Sequence, residues 1–203
     1  LEVYRFLRDR VGASFLQFIP IVEREPANTS HVPRVSGRSV DALQYGRFLA
    51  AIFDEWVRRD VGRTYVQIFD ATLANWLGLP SGLCVFDETC GTALALEHNG
   101  DLYACDHFVE PSYMRGNLRD APLAELAFLP DQVRFGLAKR DGLPHQCRTC
   151  EVRFACHGGC PKNRFLQTPD SEPGLNYLCA GYRTFFTYVR EPMGLMAALV
   201  RQG

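Results

Sequence analysis

The sequence predicts an α/β fold in two parts: a strand–helix–strand–helix run of the kind that ends a parallel barrel, then a small α+β unit organised around cysteines. Three observations carry that expectation. Residues 1–79 contain no cysteine and alternate short β-favouring runs with helical patterning. All eight cysteines of the 203 residues fall from Cys84 to Cys179. Within that region His98-Asn99-Gly100-Asp101 lies between apolar arms and predicts a β-hairpin, with Asn-Gly supplying the positive φ values of the turn.

The elements follow in order. LEVYRFLRDR, from Leu1, reads as a helix already under way, so the chain is expected to be a piece of a longer protein. SFLQFIPIVE predicts a short buried strand around Phe15–Ile21, interrupted by Pro20. Ala27 to Arg38, rich in Pro, Ser and Asn, predicts a loop. Tyr45, Phe48, Leu49, Ile52, Phe53, Trp56 and Val57 then recur at helical spacing, with Ser39 or Asp41 as N-cap and Gly62 past the end. TYVQIFD, Thr64 to Asp70, predicts a second strand, and ATLANWLGL a helix running to Pro80. Four such elements do not close a barrel, so they read as the tail of a larger one. Beyond the hairpin, APLAELAFL and PDQVRFGLAKR predict short helices, and the stretch from Asn176 onward predicts a C-terminal helix broken near Pro192.

Composition narrows the function. Net charge is -1 and Lys and Arg are scattered among Asp and Glu, so no nucleic-acid footprint is present. No apolar run approaches the roughly 18 residues of a membrane span, and no membrane partner is expected. Four disulfides would need an oxidising compartment; with no secretory signal at the start, metal ligation in the cytoplasm is the expectation.

The cysteine spacing is C-x5-C-x14-C for Cys84, Cys90 and Cys105, then C-x2-C-x5-C-x3-C-x18-C for Cys147, Cys150, Cys156, Cys160 and Cys179. Eight thiolates make two complete four-cysteine sites. Structural zinc usually takes two short Cys pairs per metal, and only Cys147/Cys150 and Cys156/Cys160 are short. Irregular spacing suits cubane clusters, whose iron corners accept ligands from separate loops. Zinc stays open as the alternative.

This pattern, with N-G-D-L-Y-A-C-D in the hairpin, resembles the SPASM domain, the auxiliary iron–sulfur module that follows the radical SAM barrel in peptide- and protein-modifying enzymes. Within that group the chain is most similar to the anaerobic sulfatase-maturating enzymes. LQFIPIVE resembles their late barrel strand and C-D-H-F-V-E their third-cysteine segment, while G-N-L at Gly116–Leu118 and F-x-C-H-G-G-C-P-K-N-R-F at Phe154–Phe165 complete the match. The resemblance implies the C-terminal end of a partial (β/α) radical SAM barrel over residues 1–79 and a SPASM domain with a C-terminal helix over 80–203.

It further implies that Cys84, Cys90, Cys105 and Cys160 hold one auxiliary [4Fe-4S] cluster and Cys147, Cys150, Cys156 and Cys179 a second, Cys160 crossing between them. The competing arrangement is a loop that closes its own four-thiolate site. Asp106 corresponds to the general base, with a pKa raised toward working pH in a partly desolvated site; the bland reading is a turn aspartate. Leu16 corresponds to the strand residue that contacts S-adenosylmethionine, although a bare apolar residue there equally suits the core. His107 and His157 are expected around the ligands rather than among them, Arg148 and Arg153 to offset cluster charge or lie in solvent, and Gly158 and Gly159 to give the backbone freedom near a cluster. Asp70 faces a substrate channel or caps a helix.

The activity implied is oxidation of a cysteine or serine of a sulfatase polypeptide to formylglycine. A radical generated from S-adenosylmethionine takes a hydrogen from Cβ, Asp106 takes the thiol or hydroxyl proton, and an electron leaves through the auxiliary clusters, with a ferredoxin or flavodoxin as electron donor. One departure matters. The radical SAM triad C-x3-C-x2-C is absent: Cys156-His-Gly-Gly-Cys160 begins like it, but Asn163 stands at the third position. S-adenosylmethionine and the third [4Fe-4S] cluster therefore belong to the complete enzyme, and this chain alone is expected to be inactive. A different peptide-modifying SPASM enzyme and a noncatalytic zinc-binding structural module are the alternatives.

Overall fold

The first helix, α1 (Glu2–Arg5), widens into a π turn over Phe6–Val11 and stops at Gly12. The computed structural model describes residues 1–25 and 35–202. Buried Tyr4 donates its hydroxyl to Asp60 at 2.6 Å, and Arg8 bridges Glu55 and Asp60, each at 2.7 Å. These bonds hold the first helix against the end of α2 (Ala42–Arg59), whose N-cap Asp41 accepts the Gln44 N–H at 2.8 Å as its sequence position predicts.

Strands β1 (Phe15–Leu16) and β2 (Tyr65–Val66) pair in parallel across α2, with Phe15 opposite Tyr65 and Leu16 opposite Val66. Leu16 and Val66 point into the core, while the rings of Phe15 and Tyr65 stack outward at 5.0 Å. Both strands are shorter than expected. The Phe15–Ile21 run leaves the sheet after Leu16, with Ile19 and Ile21 exposed. Gln67–Asp70 is helical, because α3 (Gln67–Leu77) starts directly after β2 and buries Ile68, Phe69, Ala71 and Thr72, a helical rather than alternating set. Residues 27–34 of the expected loop lie outside the described residues.

The second part carries a three-stranded antiparallel sheet in the order β3 (Ala95–Leu96), β4 (Asp101–Tyr103), β5 (Met114–Asn117). The hairpin is present, but only Gly100 of its tip takes positive φ, at 93°. The Gly100 N–H donates to the Glu97 carbonyl and the Glu97 N–H to the Asp101 carbonyl, each at 2.9 Å, which makes a three-residue loop closed by a glycine bulge. Short α4 (Leu123–Ala127) and α5 (Pro130–Asp141) follow, then the one-turn helices α6 (His145–Arg148) and α7 (Arg153–Cys156). A small hairpin, β6 (Leu166–Gln167) with β7 (Pro173–Leu175), leads into α8 (Cys179–Tyr188) and α9 (Arg190–Gln202).

The C-terminal helix starts at Cys179, not Asn176, and breaks at Val189, not Pro192. Pro192 falls in the first turn of α9, where its missing N–H has no helical partner to lose. The aromatic core continues across residue 79: Phe53, Trp56 and Phe69 pack with Phe86, Phe185 and Phe186, and α8 lies along α2. Among the described residues no helix is long and apolar enough to cross a membrane.

Candidate metal centre

All eight cysteines are free thiols, each partly enclosed, and they are carried by five separate segments. Cys84 opens a single turn after Leu83, Cys90 lies beside α5, and Cys105 follows β4. Cys147 and Cys156 sit on α6 and α7, Cys150 between them, Cys160 just beyond, and Cys179 begins α8.

Burial is the leading cause that pushes up the thiols of Cys84, Cys90, Cys147 and Cys160, and those of Cys105 and Cys156 to about 12 and of Cys179 to about 11. Their mutual influence sorts them into two groups. Cys90 is further raised by Cys160 and Cys84, and Cys105 by Cys160. Cys156 is further raised by Cys179, Cys147 and Cys150, and Cys179 by Cys147 and Cys150. The latter four line one cavity of about 350 Å³, together with Arg153 and Arg183. The loop from Cys147 to Cys160 thus turns three thiols one way and one the other.

A single tetrahedral zinc holds sulfurs at about 2.3 Å, which places them about 3.8 Å from each other. Among the described residues the one trio of candidate ligand atoms lying mutually within 4.8 Å is Cys105, Asp106 and His107, so no three cysteine sulfurs are that close. Thiols gathered in fours yet spread wider than a mononuclear site fit the separate corners of a cubane.

The thiol-bearing segments are held by polar side chains that the sequence reading did not single out. Gln132 donates to the carbonyls of Gly91 at 2.7 Å and Ala104 at 3.0 Å, next to Cys90 and Cys105. Lys139, 1% exposed, donates to the carbonyls of Cys84, Val85 and Asp87. Burial, then the nearby Arg164, pushes its ammonium down to about 8. Asn176 donates to the carbonyls of Gly158 and Cys160, both at 3.1 Å. A signal was present: Gln132, Gly136 and Lys139, spaced i, i+4, i+7 on α5, form a buried face of polar and small residues.

His157, Gly158 and Gly159 take φ of 46°, 73° and 63°, a left-handed turn between Cys156 and Cys160. A Cβ at Gly159 would lie 2.6 Å from the Asn176 amide, so small residues are required there for space as well as conformation. Half-buried His157 is kept below its ordinary pKa first by burial. Arg148 pairs with Glu172 at 3.8 Å on the surface, whereas Arg153 lines the cavity. Trp76 of α3 meets Phe154 edge-on at 4.6 Å, and Asn75 donates to the carbonyls of Phe86 and Ala155, linking the first part to both cysteine segments.

Asp106 is exposed, its side chain 72% open, and accepts the Cys105 thiol proton at 3.0 Å with His107 Nδ1 at 3.3 Å. That bond, then His107, holds its carboxyl below the usual carboxylate range, opposite to the raised value expected. The difference belongs to the thiol form, since a ligating Cys105 has no proton to donate. Leu16 has its side chain in the core, 7% exposed. Asp70 is inside α3 and does not cap it; Val66 occupies the N-cap, and partial desolvation raises the Asp70 carboxyl.

Residues 84–151 match the SPASM family, an iron–sulfur cluster-binding domain. The serine-type anaerobic sulfatase-maturating enzyme of Bacteroides thetaiotaomicron is 45% identical over 97% of this chain and 50% of that protein. The cysteine-type enzyme of Clostridium perfringens is 29% identical over 92% of this chain and 49% of that protein. A solved structure described as native anSMEcpe with bound AdoMet and Kp18Cys peptide superposes at TM-score 0.79, with 27% identity, over 97% of this chain and 53% of that one. The chain spans about half the length of the curated relatives it matches. Over nearly its whole length the chain is similar to about half of these anaerobic sulfatase-maturating enzymes, and its residues 84–151 match the SPASM iron–sulfur cluster-binding domain.

Proposed function

We propose that this chain is the auxiliary-cluster part of an enzyme that oxidises a cysteine or serine of a sulfatase polypeptide to formylglycine. Residues 1–79 are the end of its barrel and residues 80–203 its SPASM domain. In this reading Cys84, Cys90, Cys105 and Cys160 hold one [4Fe-4S] cluster, and Cys147, Cys150, Cys156 and Cys179 hold the other. The observation that carries it is the division of one loop, Cys147 to Cys160, between two groups of four thiols, with an exposed carboxylate directly after Cys105.

When bound by these eight cysteines the auxiliary clusters would supply an electron acceptor, and the S-adenosylmethionine-binding cluster of the complete enzyme would supply hydrogen abstraction. Asp106 takes the proton from the substrate thiol or hydroxyl. Its exposure leaves it open to a polypeptide, and ligation of Cys105 frees the oxygen that its thiol otherwise occupies. A serine yields the aldehyde directly, and a cysteine yields it after hydrolysis of the thioaldehyde. Leu16 is assigned to the S-adenosylmethionine contact on the family resemblance alone, its side chain being part of the core. A ferredoxin or flavodoxin serves as electron donor, and the cytoplasm is the compartment.

The test is formylglycine formation, read by peptide mass, in sulfatase peptides bearing cysteine or serine, with the complete enzyme and its Asp106→Asn variant. Loss of product with cluster content unchanged is the expected result. Undiminished turnover by the variant would remove Asp106 from the role of base.

A further inference from the structure

Two cations, Lys139 and Arg164, are enclosed among the cysteine-bearing segments, and every hydrogen bond they donate ends on a neutral main-chain carbonyl. Lys139 Nζ uses its donors on Cys84, Val85 and Asp87. The Arg164 guanidinium spans the left-handed turn, donating to His157 at 2.8 Å, Gly158 at 3.0 Å and Gly159 at 3.1 Å, and reaches the Lys139 carbonyl at 2.6 Å. No carboxylate accepts from either among the described residues. Carbonyl dipoles alone are a poor substitute for water around a buried cation.

Negative charge is nevertheless available nearby, in the thiols. Lys139 lies within electrostatic reach of Cys84, Cys90 and the Asp87 carboxylate, and Arg164 within reach of Cys90 and Cys160 on one side and Cys147 and Cys156 on the other. As free thiols the cysteines are neutral, and the Asp87 carboxylate, which takes no hydrogen bond from either cation, is the negative charge felt by Lys139. As ligated thiolates around iron and sulfide, each group of four is net negative and the two cations become compensating charge.

We propose that Lys139 and Arg164 are the built-in counter-charge of the two cluster sites: Lys139 serves the Cys84 group, and Arg164 stands between the groups and acts on both. The inference rests on the iron–sulfur reading above. Both are positioning residues, since they reach the thiolates through space and the main chain. Reduction adds negative charge to a cluster, and a fixed cation in a poorly screened interior favours that state. Removing the Arg164 charge therefore moves the reduction potentials of both auxiliary clusters to more negative values. Removing that of Lys139 moves mainly the cluster held by the Cys84 group.

The experiment is potentiometric titration of the complete enzyme followed by electron paramagnetic resonance, with iron and sulfide counted per chain, for Arg164→Gln, Arg164→Lys and Lys139→Gln. Arg164→Gln keeps some donors without the charge; Arg164→Lys keeps the charge without the planar fork. The expected result is a negative shift of both auxiliary potentials, or loss of their iron and sulfide, in Arg164→Gln, with Arg164→Lys close to the unmodified enzyme. If Arg164→Gln and Arg164→Lys behave alike, whether both normal or both equally depleted, the guanidinium is a carbonyl brace and the counter-charge role is overturned. An unmodified enzyme that never binds the auxiliary clusters would instead sink the iron–sulfur reading on which the inference stands.

Discussion

Gly46 of α2 and Gly181 of α8 meet backbone against backbone: a Cβ on Gly46 would overlap the Gly181 carbonyl oxygen and lie 2.8 Å from its Cα, and a Cβ on Gly181 would overlap the Ala42 carbonyl oxygen. Helix α8 opens on Cys179, so this crossing fixes how the last thiol stands relative to α2. Gly181→Ala is expected to cost about 1–3 kcal/mol as the helices are forced apart. A lowered Tm, with iron lost from the Cys179 site, is the outcome to look for. An unchanged Tm would mean that the crossing is loose.

The division of the thiols makes Cys160→Ala diagnostic. It is expected to remove the cluster shared with Cys84, Cys90 and Cys105 and leave the other, so auxiliary iron and sulfide fall by about half. Cys179→Ala is expected to remove the opposite one. If both variants extinguish the same spectroscopic signal, the loop closes its own site and the crossing is wrong.

Asn75 places both amide hydrogens on the second part, at 3.0 Å to Phe86 and 3.1 Å to Ala155. Asn75→Ala leaves those carbonyls without their partner and is expected to destabilise the protein by about 1–3 kcal/mol. Denaturant unfolding measures it, and a variant within error of the parent would show that water replaces the amide without loss.

Glu55 carries the acid-side stability of the first helix. Hydrogen bonds from Arg5 and then Arg8 hold its carboxyl below the usual range. A depressed folded value means that the contribution is present above the unfolded carboxylate pKa and is lost as pH falls through the folded one. The stability gap between parent and Glu55→Gln is therefore expected at neutral pH and should begin to narrow as pH falls below the unfolded glutamate range of about 4. A gap that does not vary with pH would assign it to packing.

Helix α2 was legible because its apolar stripe and its Asp41 cap point to one answer. The cysteines stood out because their spacing is visible in the sequence itself. TYVQIFD was misread because a short apolar run fits a strand or a helix, and only the two-residue β1 partner limits the strand to Tyr65–Val66. Strand β5, Met-Arg-Gly-Asn, has no β-branched residue; Asn117 helps to place it by bonding the hairpin at Asn99 and Asp101. Lys139 and Arg164 were invisible for a different reason. Their partners are main-chain carbonyls, which carry no signature in sequence.

Anaerobic reconstitution of residues 1–203, with iron, sulfide and zinc counted on the same sample, tests the central claim most directly. Two cubanes predict about eight irons and eight sulfides per chain, with zinc at background. Zinc bound without sulfide would contradict the account, leaving a structural module in place of an electron-accepting one.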